Sequence, residues 1–156
     1  MGEVEKPLAR LRALGLELPP PPAPLANYLP AIRHGDLVYV SGHGSARPGG
    51  QGFFERVGEV LSVAEGRHAA QLAALNCLAA LNALVPLARV RQILKVTGYV
   101  HSADGFTQQP EVLNGASDLL VQIFGERGRH ARTAVGLRQT ARGYSVQLEM
   151  IVAIYD

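Results

Sequence analysis

The clearest pattern of apolar and polar residues lies at the end of the chain, from Ser145 to Tyr155. The residues alternate with a period of two, which predicts a strand with two different faces. One face consists of Val146, Leu148, Met150, Val152 and Ile154, and the other of Ser145, Gln147, Glu149, Ile151 and Ala153. We expect the first face to pack against helices. The second face mixes polar and apolar side chains, which suits a subunit interface.

Two segments predict core helices. The first, from about Ala64 to Leu84, is rich in alanine and leucine on nearly every face, which indicates a well-buried helix that Pro86 stops. Its polar residues Asn76 and Asn82 need hydrogen-bond partners. The second segment is "QQPEVLNGASDLLVQIFG", with Gly125 as its C-cap. Its predicted buried stripe consists of Val112, Leu119, Leu120 and Ile123.

The N-terminal region predicts a separate short helix. Its apolar positions at helical spacing indicate about three amphipathic turns. They are Val4, Leu8, Leu11 and Leu14. The following "LPPPPAP" ends the helix and forms a stiff connector, because proline cannot sit inside a helix. We therefore divide the chain into an N-terminal helix with its connector, residues 1–26, and a domain, residues 27–156.

The remaining strands complete one mixed sheet. A hairpin turns at His34-Gly35-Asp36, with its second strand from Leu37 to Ser41. A short strand is predicted near Phe53 to Val57. The stretches "VRQILKVTGYVHS" and "ARTAVGL" are typical of further strands. The element order β-β-(β)-α-β-α-β-β predicts an α+β fold with two helices on one face of the sheet.

Composition narrows the possible functions. A length of 156 residues with 47% apolar and 18% charged residues indicates one folded domain. A net charge of +2 gives no support for a nucleic-acid-binding surface. No apolar run is long enough for a membrane helix, and the N-terminus lacks the apolar core of a secretory signal, so we expect a cytoplasmic protein.

Metal or thiol chemistry has little support in the sequence. The single cysteine, Cys77, excludes an internal disulfide and a cysteine zinc cluster, and its apolar helical surroundings indicate a buried hydrophobe. The five histidines show no metal-binding spacing. They are His34, His43, His68, His101 and His130. We expect no metal and no cofactor.

One charged stretch, "RGRHARTAVGL", leads directly into a predicted strand. Arg127, Arg129 and His130 precede the strand, and Arg132 lies at its start. The residues leave two interpretations open. Either Arg132 is an ordinary surface arginine paired with a carboxylate, or it binds an anion at the strand edge.

Several stretches in this order resemble the RidA/YjgF family, also called the L-PSP endoribonuclease-like family. They are "NYLPAIRHGDLVYVSG", "NCLAALNAL", "LKVTGYVHSADGF", "LNGASDLLVQIFG", "HARTAVGL" and "VQLEMIVAI". The resemblance covers roughly residues 27–156, and the extended N-terminus resembles that of a less-studied subgroup. It implies a chorismate-mutase-like fold and a homotrimer with clefts between subunits. Members typically hydrolyse reactive imines and enamines to 2-keto acids and ammonia.

The resemblance also implies a set of substrate-binding residues. Arg132 matches the family's signature arginine, whose planar guanidinium would hold a substrate carboxylate through two parallel hydrogen bonds. Tyr28 matches an aromatic residue that lines the cleft, although a core hairpin aromatic is an equal alternative. Asn114 resembles a helix asparagine that reaches toward the site, with an exposed helix asparagine as the alternative. The segment Ser41-Gly42-His43 borders the cleft, partly through backbone groups.

The expected catalytic carboxylate is out of place. In deaminating members a glutamate on the last strand positions the attacking water, and the matching position here is Gln147. Glu149 lies two residues later on the same face and aligns with a second acidic position. Either Glu149 takes over or the base is missing. A positioned base contributes about 10²–10⁴ in rate, and a glutamine cannot accept a proton at neutral pH.

Three functional hypotheses follow. The first is a trimeric deaminase of 2-imino and 2-enamino acids, with Arg132 holding the carboxylate and Glu149 or Gln147 holding the water. The second is a non-catalytic protein that binds small carboxylates such as 2-keto acids in the same cleft, which Gln147 favours. The third, an endoribonuclease, has little support because the chain has no basic stripe interleaved with aromatic residues.

Overall fold

The computed structural model describes residues 6–156, which form eight main helices and strands. They are α1 (Lys6–Ala13), β1 (Ala31–His34), β2 (Leu37–Gly44), α2 (Val63–Leu84), β3 (Val90–His101), α3 (Gln109–Phe124), β4 (Ala131–Leu137) and β5 (Val146–Ile154). The strands form one sheet in the order β1-β2-β5-β3-β4. Strands β3 and β4 are parallel, because α3 crosses between them, and the other pairs are antiparallel. The predicted α+β fold is confirmed.

The apolar face of β5 forms the centre of the core, as predicted. Its residues alternate in burial from Val146 to Val152, and Leu148 and Val152 are fully buried. Ala153, predicted on the second face, is buried as well. Helices α2 and α3 pack against each other on this side of the sheet. The predicted stripe of α3 is buried, and Gly125 ends that helix with a positive φ of 63°.

Local hydrogen bonds set the start of α2 and satisfy its polar residues. The Ser62 hydroxyl accepts the Glu65 amide at 3.1 Å, and the Glu65 carboxylate in turn accepts the Ser62 amide. Asn76 donates to the carbonyls of Gly44 and Ala46, and Asn82 accepts the Leu87 amide at 3.2 Å. The predicted need for partners is confirmed.

Glycine brings α3 unusually close to α2. A Cβ atom added to Gly115 would lie 2.1 Å from the carbonyl oxygen of Arg67, well inside van der Waals contact. This close approach fixes the position of α3 and therefore of Asn114 beside Gly115.

Three predicted boundaries are wrong. The segment from Phe53 to Val57 is not a strand, because its backbone bonds to Ser45, Ser145 and His101 in turn and forms no continuous ladder. Strand β2 continues past Ser41 to Gly44 through an irregularity between Val40 and His43.

The first helix also ends earlier than predicted. It ends at Ala13, before Gly15 at a φ of +74°, rather than at the proline run. Of its predicted apolar face, Leu11 is buried and Leu14 is exposed, while Val4 lies outside the described residues.

The second face of the sheet is polar at its centre. Lys95 and Thr97 of β3 lie there beside Glu149 and Ile151 of β5, around a depression of about 470 Å³. Within residues 6–156, no helix is both long and apolar enough to cross a membrane.

Candidate functional site

Arg132 lies on β4 at the edge of the sheet, and its side chain turns toward α3. Its Nη1 atom donates to Asn114 Oδ1 at 2.8 Å and to Ser117 Oγ at 3.0 Å. The two acceptors are one helical turn apart on α3, so they face Arg132 together. Because Nη1 carries only two hydrogens, both are used by these bonds.

A half-buried histidine, His130, extends this arrangement. His130 Nδ1 lies 2.7 Å from the carbonyl oxygen of Gly128, which can only accept, so Nδ1 carries the proton. His130 Nε2 is then free to accept from the Ser117 hydroxyl, 2.9 Å away. Burial, with the nearby Arg132 charge, lowers the pKa of His130 below its ordinary value, against the Gly128 hydrogen bond. A neutral His130 therefore orients Ser117, and Ser117 presents a lone pair to Arg132.

The remaining edge of Arg132 is unused. Its Nε and Nη2 atoms have no partner among residues 6–156, and no Asp or Glu of that range forms an ion pair with it. Nε–H and one Nη2–H point the same way and match the two oxygens of a carboxylate. Among residues 6–156 Arg132 is therefore not paired with a carboxylate, and anion binding by Arg132 stays a prediction.

The other arginines of the charged stretch have structural partners. Arg127 Nη1 donates to the Val90 carbonyl at 2.8 Å, and Arg129 forms an exposed ion pair with Glu126.

A second group of predicted residues lines a cavity of about 530 Å³ beneath the proline run. We call it the arm cavity. Its wall includes Pro20 to Pro22, and its lining includes Tyr28, Gly42, His43 and Gln147. Tyr28 is half exposed, so it is not a core hairpin aromatic. An added Cβ at position 42 would lie 2.7 Å from Gln147 Nε2, so a larger residue there displaces the end of the Gln147 side chain.

Among the described polar residues that line the arm cavity, Asn76 is the most buried and His43 comes next. Its Nε2 atom lies 3.2 Å from the Pro30 carbonyl oxygen. Burial lowers the pKa of His43, although the bond to Pro30 opposes that effect. The described residues that line this cavity include Arg47 and Arg142 but neither aspartate nor glutamate.

A third location holds Ser41 and Glu149. Both line the depression on the second face of the sheet, not the arm cavity. The Ser41 hydroxyl donates to the Leu29 carbonyl at 2.5 Å, and Glu149 Oε1 accepts from the Tyr99 hydroxyl at 2.6 Å. That hydrogen bond raises the pKa of Tyr99. Within a single chain, Glu149 therefore lies apart from both Gln147 and Arg132.

Metal binding and thiol chemistry gain no support. Within residues 6–156, no three His, Cys, Asp or Glu side chains converge on a common position. Cys77 is buried, and its burial raises the pKa of the thiol.

Comparison with known proteins identifies the family of this chain. The sequence model of the family described as "YjgF/chorismate mutase-like, putative endoribonuclease" matches residues 8–140. The chain belongs to this family. It is also 38% identical over 148 residues to Protein TCP17 of Trypanosoma cruzi, covering 94% of this chain and 92% of that protein.

Solved structures share the fold of this chain. A protein of unknown function from Agrobacterium tumefaciens is 38% identical with a TM-score of 0.91, covering 99% of this chain and 97% of its own. A protein of Shewanella oneidensis described as a "putative endoribonuclease" is 33% identical with a TM-score of 0.91, covering 96% of this chain and 99% of its own. RidA from an Antarctic Psychrobacter shares the fold at 22% identity and a TM-score of 0.59, covering 86% and 94%.

Sequence reasoning missed two residues of the Arg132 group, Ser117 and His130. Ser117 was detectable, because it lies three residues after Asn114 and so on the same helix face. His130 belongs to the charged stretch before β4, but nothing in the sequence shows that it reaches Ser117.

Replacing Ser117 by alanine is expected to weaken carboxylate binding about tenfold, because Arg132 loses one of its two anchors and His130 loses its donor. Titration calorimetry with 2-oxobutyrate measures this. Ser117→Thr keeps the hydroxyl and is expected to bind like wild type. Equal binding by the alanine and threonine variants would show that Asn114 alone positions Arg132.

Proposed function

We propose that this protein hydrolyses reactive 2-imino and 2-enamino acids to 2-keto acids and ammonia. The observation that carries the proposal is the Arg132 guanidinium. It is anchored through Nη1 by Asn114 and Ser117, while its Nε/Nη2 edge and its charge are left uncompensated among the described residues. Such an edge suits the carboxylate that every 2-imino acid carries.

The proposed site needs two copies of the chain. Arg132 is on β4, whereas the arm cavity is built around β2, and β5 and β3 separate these strands. At the usual strand spacing this is a distance of about 14 Å, too far for a substrate of three to five carbons. A closed trimer, in which the β4 edge of one copy meets the arm cavity of the next, would unite both halves.

Within that cleft each side chain has a proposed role. Arg132 holds the carboxylate, and an enamine first tautomerises to the imine. The Gln147 amide and the Tyr28 hydroxyl orient a water toward the C=N carbon. Asn114 supports Arg132, and Gly42 leaves space beside Gln147. Glu149 remains a candidate only if the assembly brings the second sheet face to the substrate. The proposed hydrolysis needs no cofactor or metal.

Keto-acid release from imines generated in situ from several amino acids tests the reaction. We expect wild type to exceed the uncatalysed rate. Release no faster than the uncatalysed rate, together with 2-keto acid binding that depends on Arg132, would instead support a carboxylate-binding protein. That second function is favoured by the lack of a carboxylate in the arm cavity.

Mixed oligomers test whether the site spans two copies. Arg132→Ala removes one half, and Gly42→Val blocks the other by pressing on Gln147. Each variant alone is expected to be inactive. Refolding them together at equal ratio should restore about a quarter of wild-type activity, because one interface in four then has both halves intact. No recovery in mixed oligomers, isolated through two different affinity tags, would contradict a shared site.

A further inference from the structure

We propose that His43 is the general base that activates the attacking water in the arm cavity, a role that rests on the deaminase function proposed above. His43 would take over the proton transfer that Gln147 cannot perform. Three observations lead to this assignment: the tautomer of the ring, the lack of another base in the cavity lining, and the place of His43 with Gln147 in that lining.

The hydrogen bond to Pro30 fixes the tautomer. A backbone carbonyl oxygen only accepts, so the Nε2 atom, 3.2 Å away, must carry the proton. In the neutral ring, Nδ1 is then an unprotonated acceptor. Nδ1 has no hydrogen-bond partner among residues 6–156. Since Nδ1 is not one of the buried nitrogens of these residues that lack a partner, it is accessible to solvent. A water in the cavity can therefore donate to it.

The surroundings keep the ring neutral and provide no competing base. The ionisable residues that line the cavity with His43 are Tyr28, Arg47, Arg142 and Tyr144. None of them is a carboxylate or a second histidine, so none competes as a base. The buried Cys77 thiol lies behind β2. Burial raises the pKa of this thiol, and the negative charge of Glu149 on β5 raises it further. Burial lowers the pKa of His43 itself, so Nδ1 is unprotonated at neutral pH.

Gln147 and His43 both line the arm cavity, and we propose that they contact the same water there. As the water oxygen bonds to the imine carbon, its proton passes to Nδ1 and the C=N electron pair moves to nitrogen. The nitrogen takes up that proton and gives a carbinolamine. The hydroxyl proton then passes to Nδ1 and on to nitrogen while the C–N bond breaks. The products are the 2-keto acid and ammonia, and His43 is neutral again.

The test compares pH profiles of kcat on one imine. Wild type should lose activity with unit slope as the pH falls through a value below about 6.5, the ordinary histidine pKa. His43→Gln retains an amide that can donate to Pro30 but has no base, and it should be about 10²-fold slower and flat from pH 5 to 7. Using one substrate for both cancels the ionisation of the imine. His68→Gln, an exposed histidine of α2, serves as the control and should match wild type.

A double variant guards against a folding defect. His43→Gln with Gln147→Glu places a carboxylate in the same cavity, and it should recover about tenfold or more over His43→Gln, with its acid limb shifted toward the glutamate range near pH 4–5. A wild-type profile that is flat from pH 5 to 7, or a His43→Gln rate within threefold of wild type, would overturn His43 as the base and leave the deaminase function standing. If wild type hydrolyses no imine, both proposals fail.

Discussion

Replacing Arg132 by alanine is expected to weaken binding of a 2-keto acid by about 10²–10³-fold, since two charge-assisted hydrogen bonds are lost and each is typically worth about 1.5–3 kcal/mol. Lysine should restore only part of this loss. Lysine keeps the positive charge. Its single ammonium group cannot bond to Asn114 and Ser117 and at the same time donate two parallel hydrogen bonds to the ligand carboxylate. Titration calorimetry with 2-oxobutyrate gives both values.

The matched control for this change is Arg129→Ala. Arg129 lies three residues away and forms only an exposed ion pair with Glu126, so its loss should leave binding unchanged. Equal losses at Arg129 and Arg132 would mean that general positive charge attracts the ligand. A lysine variant as good as wild type would show that the forked geometry of Arg132 is not used.

Gly115→Ala is expected to lower the free energy of unfolding by about 2–3 kcal/mol, because the new methyl group meets the Arg67 backbone at 2.1 Å and neither helix can give way locally. Chemical denaturation followed by circular dichroism measures this loss. Since α3 carries Asn114 and Ser117, the same variant should also weaken carboxylate binding. The effect on stability opposes the general gain of Gly→Ala in a helix.

Gly66→Ala in α2 is the matched comparison. The Cβ there would meet only the side-chain methyl groups of Val57 and Val112, at 3.1 Å or slightly more, and these can shift. We expect a change below about 1 kcal/mol. If both alanines cost the same, the close approach of α3 to Arg67 does not limit the packing of the two helices.

The fold was predictable because its main elements have strong local patterns. The alternation in β5 predicts a strand with one buried face, and the apolar richness of α2 predicts a buried helix. The segment at Phe53–Val57 was not predictable, since its hydrogen bonds go to three distant parts of the chain. The same holds for the end of β2, where an irregularity near Gly42 lets the strand continue.

Only some residues of the candidate site could be picked out from the sequence, and their arrangement could not. Arg132 and Asn114 were both identified, and they are in contact. Gln147 and Glu149 share a strand face, as their spacing requires, yet two residues of strand are about 7 Å and separate them into different depressions. The link from Arg132 through Ser117 to His130 depends on the packing of α3 against β4, which no local pattern encodes.

The proline run that forms one wall of the arm cavity lies outside the sheet and the helix pair. Consecutive prolines have few conformations to lose on folding, so this wall is held in place at little entropic cost. Substitutions among residues 20–25 can therefore reshape the space next to Gln147 without disturbing the core. The proline run therefore gives the protein a part in which substitutions can change the size of the arm cavity while the sheet and the helix pair stay constant.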